Sequence, residues 1–231
     1  MMTFSDDFTI KTMDDLMSLI DEVGFVPFFA NGIEGFSIEE HIAPGCWYDD
    51  AEDSFWPAWE WKGPVIKKMK CGYGKFLQSK AMYISGKWFP DFANFRRDGY
   101  DFDARFDDEL ASHYDKELYD LLDGCAPVSS KDLKRTGGYG KGGKKGFDTM
   151  ITRLQKQCYV ITSDFIYSVD KTGNKYGWGI AEYTTPEKFM GSKFKNRVYK
   201  YSPEESYDRV LKQFKRILPG TDDEMIKKIL K

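Results

Sequence analysis

The stretch that most restricts the fold lies between Asp107 and Thr185, where three helix signals and a hairpin signal follow one another closely. The second half of the acidic segment Asp98–Asp123 predicts a helix with Leu110, Tyr114, Leu118, Leu121 and Leu122 on one stripe. Gly124 stops it, and Pro127 prevents quick resumption. Ser130 can cap a short helix over Lys131–Arg135. Phe147, Met150, Ile151, Leu154 and Cys158 then recur at i, i+3, i+4, i+7 and i+11, which predicts a third helix with a narrow apolar stripe. Two runs rich in β-branched and aromatic residues, Tyr159–Val169 and Tyr176–Thr185, flank Asp170–Lys175. The Gly173-Asn174 pair there predicts a hairpin turn. Helix, short helix, helix and hairpin is the element order of a winged helix, whose third helix enters the major groove while the hairpin touches the backbone.

The flanking regions add helices and one more hairpin. Thr12 caps a helix carrying Leu16, Met17, Ile20 and Val23, with Gly24 as its stop. Phe25–Trp61 is aromatic and interrupted by Pro27, Pro44 and Pro57, so short regular structure is expected, with a second helix after Ser37. Tyr73–Ser85 alternates roughly as a hairpin. Ser202-Pro203-Glu204-Glu205 opens a helix with Tyr207, Val210, Leu211, Phe214 and Leu218 on its stripe. Thr221–Glu224 opens a last helix with Met225, Ile226, Ile229 and Leu230. At 231 residues, one or two domains are expected, since domains typically hold roughly 100–150 residues. The fold class is therefore read as α+β, mainly helical, with tandem winged-helix-like architecture and C-terminal helices. Residues 1–105 form an aromatic-rich region, read as a degenerate winged helix or an appendage sharing the same core. Residues 106–231 form a winged-helix domain with a helical extension. The final helices either supply a dimer interface or pack back on the N-terminal half, and a monomer is favoured.

Charge points to a partner. The chain carries a net charge of −3, yet the first sixty residues hold fourteen acidic side chains against one lysine. Lys131–Gln157 holds eight basic and two acidic residues, and it is such a local basic patch that phosphates feel. In the Gly-rich loop Gly137–Gly146, glycines let backbone N–H groups and Lys141, Lys144 and Lys145 approach a phosphodiester at the start of the third helix. On that helix Thr149, Thr152, Arg153 and Lys156 lie off the apolar stripe, and Lys171 and Lys175 mark the hairpin tip. DNA is the expected partner, and a solvated basic face is the bland alternative. The loop also matches a dinucleotide fingerprint through Gly138, Gly140 and Gly143. It lacks the preceding strand and βαβ unit that the motif needs, so no cofactor is expected.

Trp47, Tyr48, Phe55, Trp56, Trp59 and Trp61 either build core or stack on an extruded base, with Trp59 and Trp61 the stacking candidates. Glu60 sits between two tryptophans and is either a carboxyl for acid–base work or an ordinary ion-paired side chain. His41 and His113 read as surface residues. Cys46, Cys71, Cys125 and Cys158 lack the spacing of a zinc site and read as free, buried thiols, so no metal is expected. The first residues do not look like a signal peptide and no run is long and apolar enough to span a membrane, so a cytoplasmic protein is expected.

At Lys141-Gly-Gly-Lys-Lys-Gly-Phe-Asp148, Arg153-Leu-Gln155 and Tyr176-Gly-Trp-Gly179 the chain resembles winged-helix proteins related to the AlkZ/YcaQ DNA glycosylases, best over about Asp107–Phe189. The resemblance implies tandem winged helices and excision of alkylated or crosslinked bases. That family's catalytic element is Gln-apolar-Gln or Gln-apolar-Asp. Here the similar string is Gln155-Lys156-Gln157, with a lysine in the middle, so Gln155, Gln157 and Glu60 are the candidates for orienting water. The alternative function is a non-enzymatic winged-helix regulator or adaptor.

Overall fold

The computed structural model describes residues 2–47, 57–173 and 175–230. Tyr48, Phe55, Trp56 and the turn residue Asn174 lie outside the described residues.

The first half opens with α1 (Met13–Val23), held by a reciprocal capping box between Thr12 and Asp15 and ended by Gly24 at φ 85°. Such a box satisfies two N–H groups that the first turn leaves without partners. β1 (Phe25–Pro27), α2 (Ile38–His41), α3 (Pro44–Trp47) and α4 (Pro57–Met69) follow. A hairpin of β2 (Gly72–Leu77) and β3 (Lys80–Ile84) completes an antiparallel sheet of order β1-β3-β2. Two helices, α5 (Phe89–Arg97) and α6 (Phe102–Asp107), lead to the second half.

There the order repeats. α7 (His113–Cys125), β4 (Val128–Ser129), α8 (Ser130–Thr136) and α9 (Phe147–Lys156) precede a long hairpin, β5 (Ile161–Val169) and β6 (Lys175–Thr184). Its sheet has the order β4-β6-β5, so in both halves the first and second strands flank the third. The two halves interlock: α4 packs on β5, α9 packs on β2, and β2 touches β5. Two short helices, α10 (Pro186–Phe189) and α11 (Ser192–Lys195), lead to α12 (Pro203–Ile217) and α13 (Asp223–Leu230).

Two apolar cores result. The smaller joins Leu118 and Leu122 of α7, Leu133 of α8 and the α9 stripe of Phe147, Met150, Ile151 and Leu154. The larger is built by the first half together with Val210, Phe214 and Ile217 of α12 and Ile226, Ile229 and Leu230 of α13. The terminal helices therefore spend their apolar stripes inside this chain. Arg97, 1% exposed, ties the parts together. Its guanidinium donates to Glu187 (2.6 Å), Tyr199 (3.0 Å) and the Cys158 carbonyl (2.8 Å).

Several sequence expectations shift in detail. Ser112 caps α7, so the helix starts too late to include Leu110; Leu110 and Tyr114 are exposed. Gly124 lies inside α7, which ends before the Ala126–Pro127 step. Ser129 rather than Ser130 caps α8, accepting from Asp132 N. The 13-residue α4 replaces the short structure expected up to Trp61, and it carries Pro64 internally. His41 is half-buried, stacked on Phe8 at 4.0 Å, with Nε2 2.6 Å from the Gly35 carbonyl oxygen. Cys71 and Cys158 are buried thiols, whereas Cys125 is exposed and Cys46 intermediate.

Candidate functional site

Where α4 crosses β5, a cavity of about 290 Å³ opens between the halves. α4 supplies Trp59, Glu60, Gly63 and Lys67, the hairpin supplies Asp164, Phe165, Tyr167 and Lys175. A helix places residues three or four apart on one face, which is why Glu60, Gly63 and Lys67 point together. Strand alternation would put Asp164 and Ile166 opposite Phe165 and Tyr167. The register shift between Thr162 and Asp164 and another between Ile166 and Ser168 bend β5, and all four residues line the cavity.

Gly63 makes room for the Asp164 carboxylate at the crossing. A Cβ at this position would overlap the Asp164 carboxylate and approach the Phe165 backbone nitrogen. Lys67 Nζ lies 2.6 Å from Asp164 Oδ2 and fixes the same contact electrostatically. Across the opening, the Tyr167 hydroxyl donates to the Glu60 carboxylate. Burial, and then this bond, raise the phenol above its ordinary range. Lys175 Nζ stands 4.9 Å from the Tyr167 ring centre. Trp178 of β6 meets the Trp59 ring edge to face at 5.7 Å and is itself 68% exposed.

Behind the wall lies Lys62, buried at 6% exposure. Its ammonium faces the rings of Trp59 at 4.0 Å, Phe165 at 4.2 Å and Phe28 at 5.6 Å. Burial pushes its pKa down to about 8, with the Glu60 charge opposing the shift. Ring faces favour a cation, so aromatic contact retains part of what desolvation removes.

Of the residues selected from sequence, Glu60, Trp59 and Lys175 meet at this cavity. Trp61 packs half-buried on the larger core and does not line it. Neither Gln155 nor Gln157 lines it either. Gln155 is buried beneath β2: Oε1 accepts from Lys75 N at 3.1 Å, and Nε2 reaches Thr162 Oγ1 at 3.5 Å. Gln157 is the half-buried C-cap of α9. Asp164, Tyr167 and Lys67 were not selected from sequence. The available signal was a single charged residue, Asp164, in a strand run of β-branched, aromatic and hydroxyl side chains.

The basic candidates lie on the second half. Lys141, Lys144, Lys145, Thr149, Lys156, Lys171 and Lys175 are exposed and Thr152 is half-buried. Lys144 pairs with Glu117 of α7. Arg153 donates twice to Asp115, at 2.9 and 2.5 Å. Gly146 occupies the N-cap of α9 at φ 89°, a left-handed conformation that suits glycine, and no side chain caps the helix. Among the described residues no helix is long and apolar enough to cross a membrane, and no group of three or more metal-ligating side chains occurs.

Comparison with known families matches residues 10–231, essentially the whole chain, to the family described as AlkZ related. No curated protein and no solved structure matches the chain.

Proposed function

Because the chain belongs to the AlkZ-related family, we propose that it is a tandem winged-helix, DNA-binding protein that excises an alkylated or crosslinked base held in the Glu60 cavity. The cavity itself carries this reading. It offers aromatic walls for a base extruded from the stack, two carboxylates, and two lysines at one opening. The repeated order of helix, strand, helices and hairpin, with the same strand order in each sheet, supports the winged-helix assignment.

In the proposed step Glu60, oriented by the Tyr167 hydroxyl, receives a proton from water as the water oxygen attacks C1′ of the target nucleotide. The C1′–N bond breaks, its electron pair leaves with the base, and an abasic sugar remains. Trp59 and Phe165 would flank the base. Lys144, Lys145 and the exposed hairpin lysines would hold phosphates, with Tyr176 and Trp178 exposed beside them. Gln155 already has partners at both ends of its amide, which favours Glu60 for the role of orienting water. A regulator dimerised through α12 and α13 would have little apolar contact left, since most of both stripes is buried in the larger core and Met225 is the exposed exception on α13.

Release of a methylated base from duplex DNA tests the reading. Wild type should liberate free base, Glu60→Gln should lose at least about 100-fold in single-turnover rate, and Tyr167→Phe should lose less. Full activity in Glu60→Gln would overturn the assignment of Glu60. No release by wild type from any alkylated duplex it binds would overturn the enzymatic reading.

A further inference from the structure

The Glu60 cavity is the end of a longer path. Lys67 lines it and also lines a second cavity of about 230 Å³, and that cavity shares Lys70 and Phe189 with a third of about 800 Å³. The path follows one side of α4 and runs beyond it into the α10–α11 segment. From Glu60 to Lys70 it covers ~15 Å at ~1.5 Å per residue.

The third cavity has an unusual lining for a chain of net charge −3. Among the described residues it holds Lys70, Lys87, Lys193 and Arg197 and no carboxylate. Its floor is apolar, formed in part by Phe189 and Met190. Lys70 Nζ lies 4.3 Å from the Phe189 ring centre, so its charge rests at the floor. The Arg197 guanidinium donates to the carbonyl oxygens of Lys87 (2.8 Å) and Gly86 (3.5 Å), both neutral acceptors. Four cations around an apolar floor suit a polyanion carrying flat apolar groups, which is the chemistry of a nucleic-acid strand.

We propose that this groove, which shares no lining residue with the Gly-rich loop, binds the phosphodiester backbone of the same strand whose base enters the Glu60 cavity. The inference rests on the DNA reading above and adds a second contact surface to it. One strand advances ~3.4 Å per nucleotide, so the α4 path accommodates roughly four nucleotides between the two sites. Lys67 and Lys188 contribute less, because Asp164 and Asp123 already pair with them.

Fluorescence anisotropy over a salt series, with a plain duplex and with single-stranded DNA, tests the groove. The proteins are wild type, Lys70→Glu/Lys193→Glu, the Gly-rich-loop variant Lys144→Ala/Lys145→Ala, and Lys212→Glu/Lys228→Glu. Lys70, Lys193, Lys212 and Lys228 are exposed, so both charge-reversed proteins should keep the wild-type melting temperature and they carry the same net charge. The groove variant should bind about tenfold or more weakly at low salt, with the slope of log K against log salt reduced by roughly 1.4–1.8. Equal losses in the two charge-reversed proteins would reduce the groove to bulk charge and overturn the proposal. Wild-type binding by the groove variant, with weakened binding by the loop variant, would overturn the groove alone. No DNA binding by wild type would overturn the DNA reading and the groove with it.

Discussion

Arg153 of α9 grips Asp115 of α7 through Nε at 2.9 Å and Nη2 at 2.5 Å. Asp115 is buried, and it also accepts from the Ser112 hydroxyl that caps its helix. The cation that sequence offers to DNA thus has a second, internal task. Arg153→Ala removes the charge partner of a buried carboxylate that keeps its Ser112 bond, and because Arg153 is itself 43% exposed the cost should be about 1–2 kcal/mol. Urea unfolding checks this. Asp115→Asn/Arg153→Met should recover most of the loss, and any DNA-binding deficit that persists in the double variant then belongs to the lost cation.

Gly63 of α4 sits directly against Asp164 of β5. In Gly63→Ala the new methyl would displace the Asp164 carboxylate, the far end of a flexible side chain, while the Phe165 backbone nitrogen stays in ordinary contact at 3.5 Å. A destabilisation of about 1 kcal/mol or less is expected, because the helix and strand stay seated and the Lys67–Asp164 pair is partly exposed. That pair should loosen, and base release should fall about as far as in a Lys67→Ala variant. Unchanged melting and activity in Gly63→Ala would show that the crossing tolerates a side chain.

How much of this was legible in sequence depends on the range of the interaction involved. The stripes of α9 and α12 and the caps at Thr12 and Ser202 are local patterns and stand in the structure, except that α9 ends at Lys156, short of Cys158, and Leu218 is the C-cap of α12. α4 was obscured because Pro57, Gly63 and Pro64 are helix-breaking residues, and its stability comes from packing on β5 and the larger core. Glu60 and Trp59 were visible as types, a carboxylate among tryptophans. Tyr167, which bonds to Glu60, and Trp178, which packs on Trp59, lie about a hundred residues away, and no local pattern links them. The dual use of Arg153 and the internal bonding of Gln155 are likewise invisible before α7 and β2 are in place.

Lys62 gives the site a pH signature. Its amine titrates near 8 in the folded chain, because burial among Trp59, Phe165 and Phe28 penalises the cation. In the unfolded chain a lysine titrates near ~10.4. Between those values the unfolded state binds more protons, so this residue's contribution to stability increases with pH across that window. Below about 8 both states carry the proton, and the desolvation cost is felt in full. At about 1.4 kcal/mol per pKa unit the full swing is about 3 kcal/mol. Other groups titrate in the same window, so the comparison is with Lys62→Met, which fills similar volume without a charge. Wild-type stability measured relative to that variant by urea unfolding should be flat from pH 6 to 7.5 and then rise towards pH 10. A difference independent of pH across the whole range would mean that the aromatic faces compensate the ammonium completely.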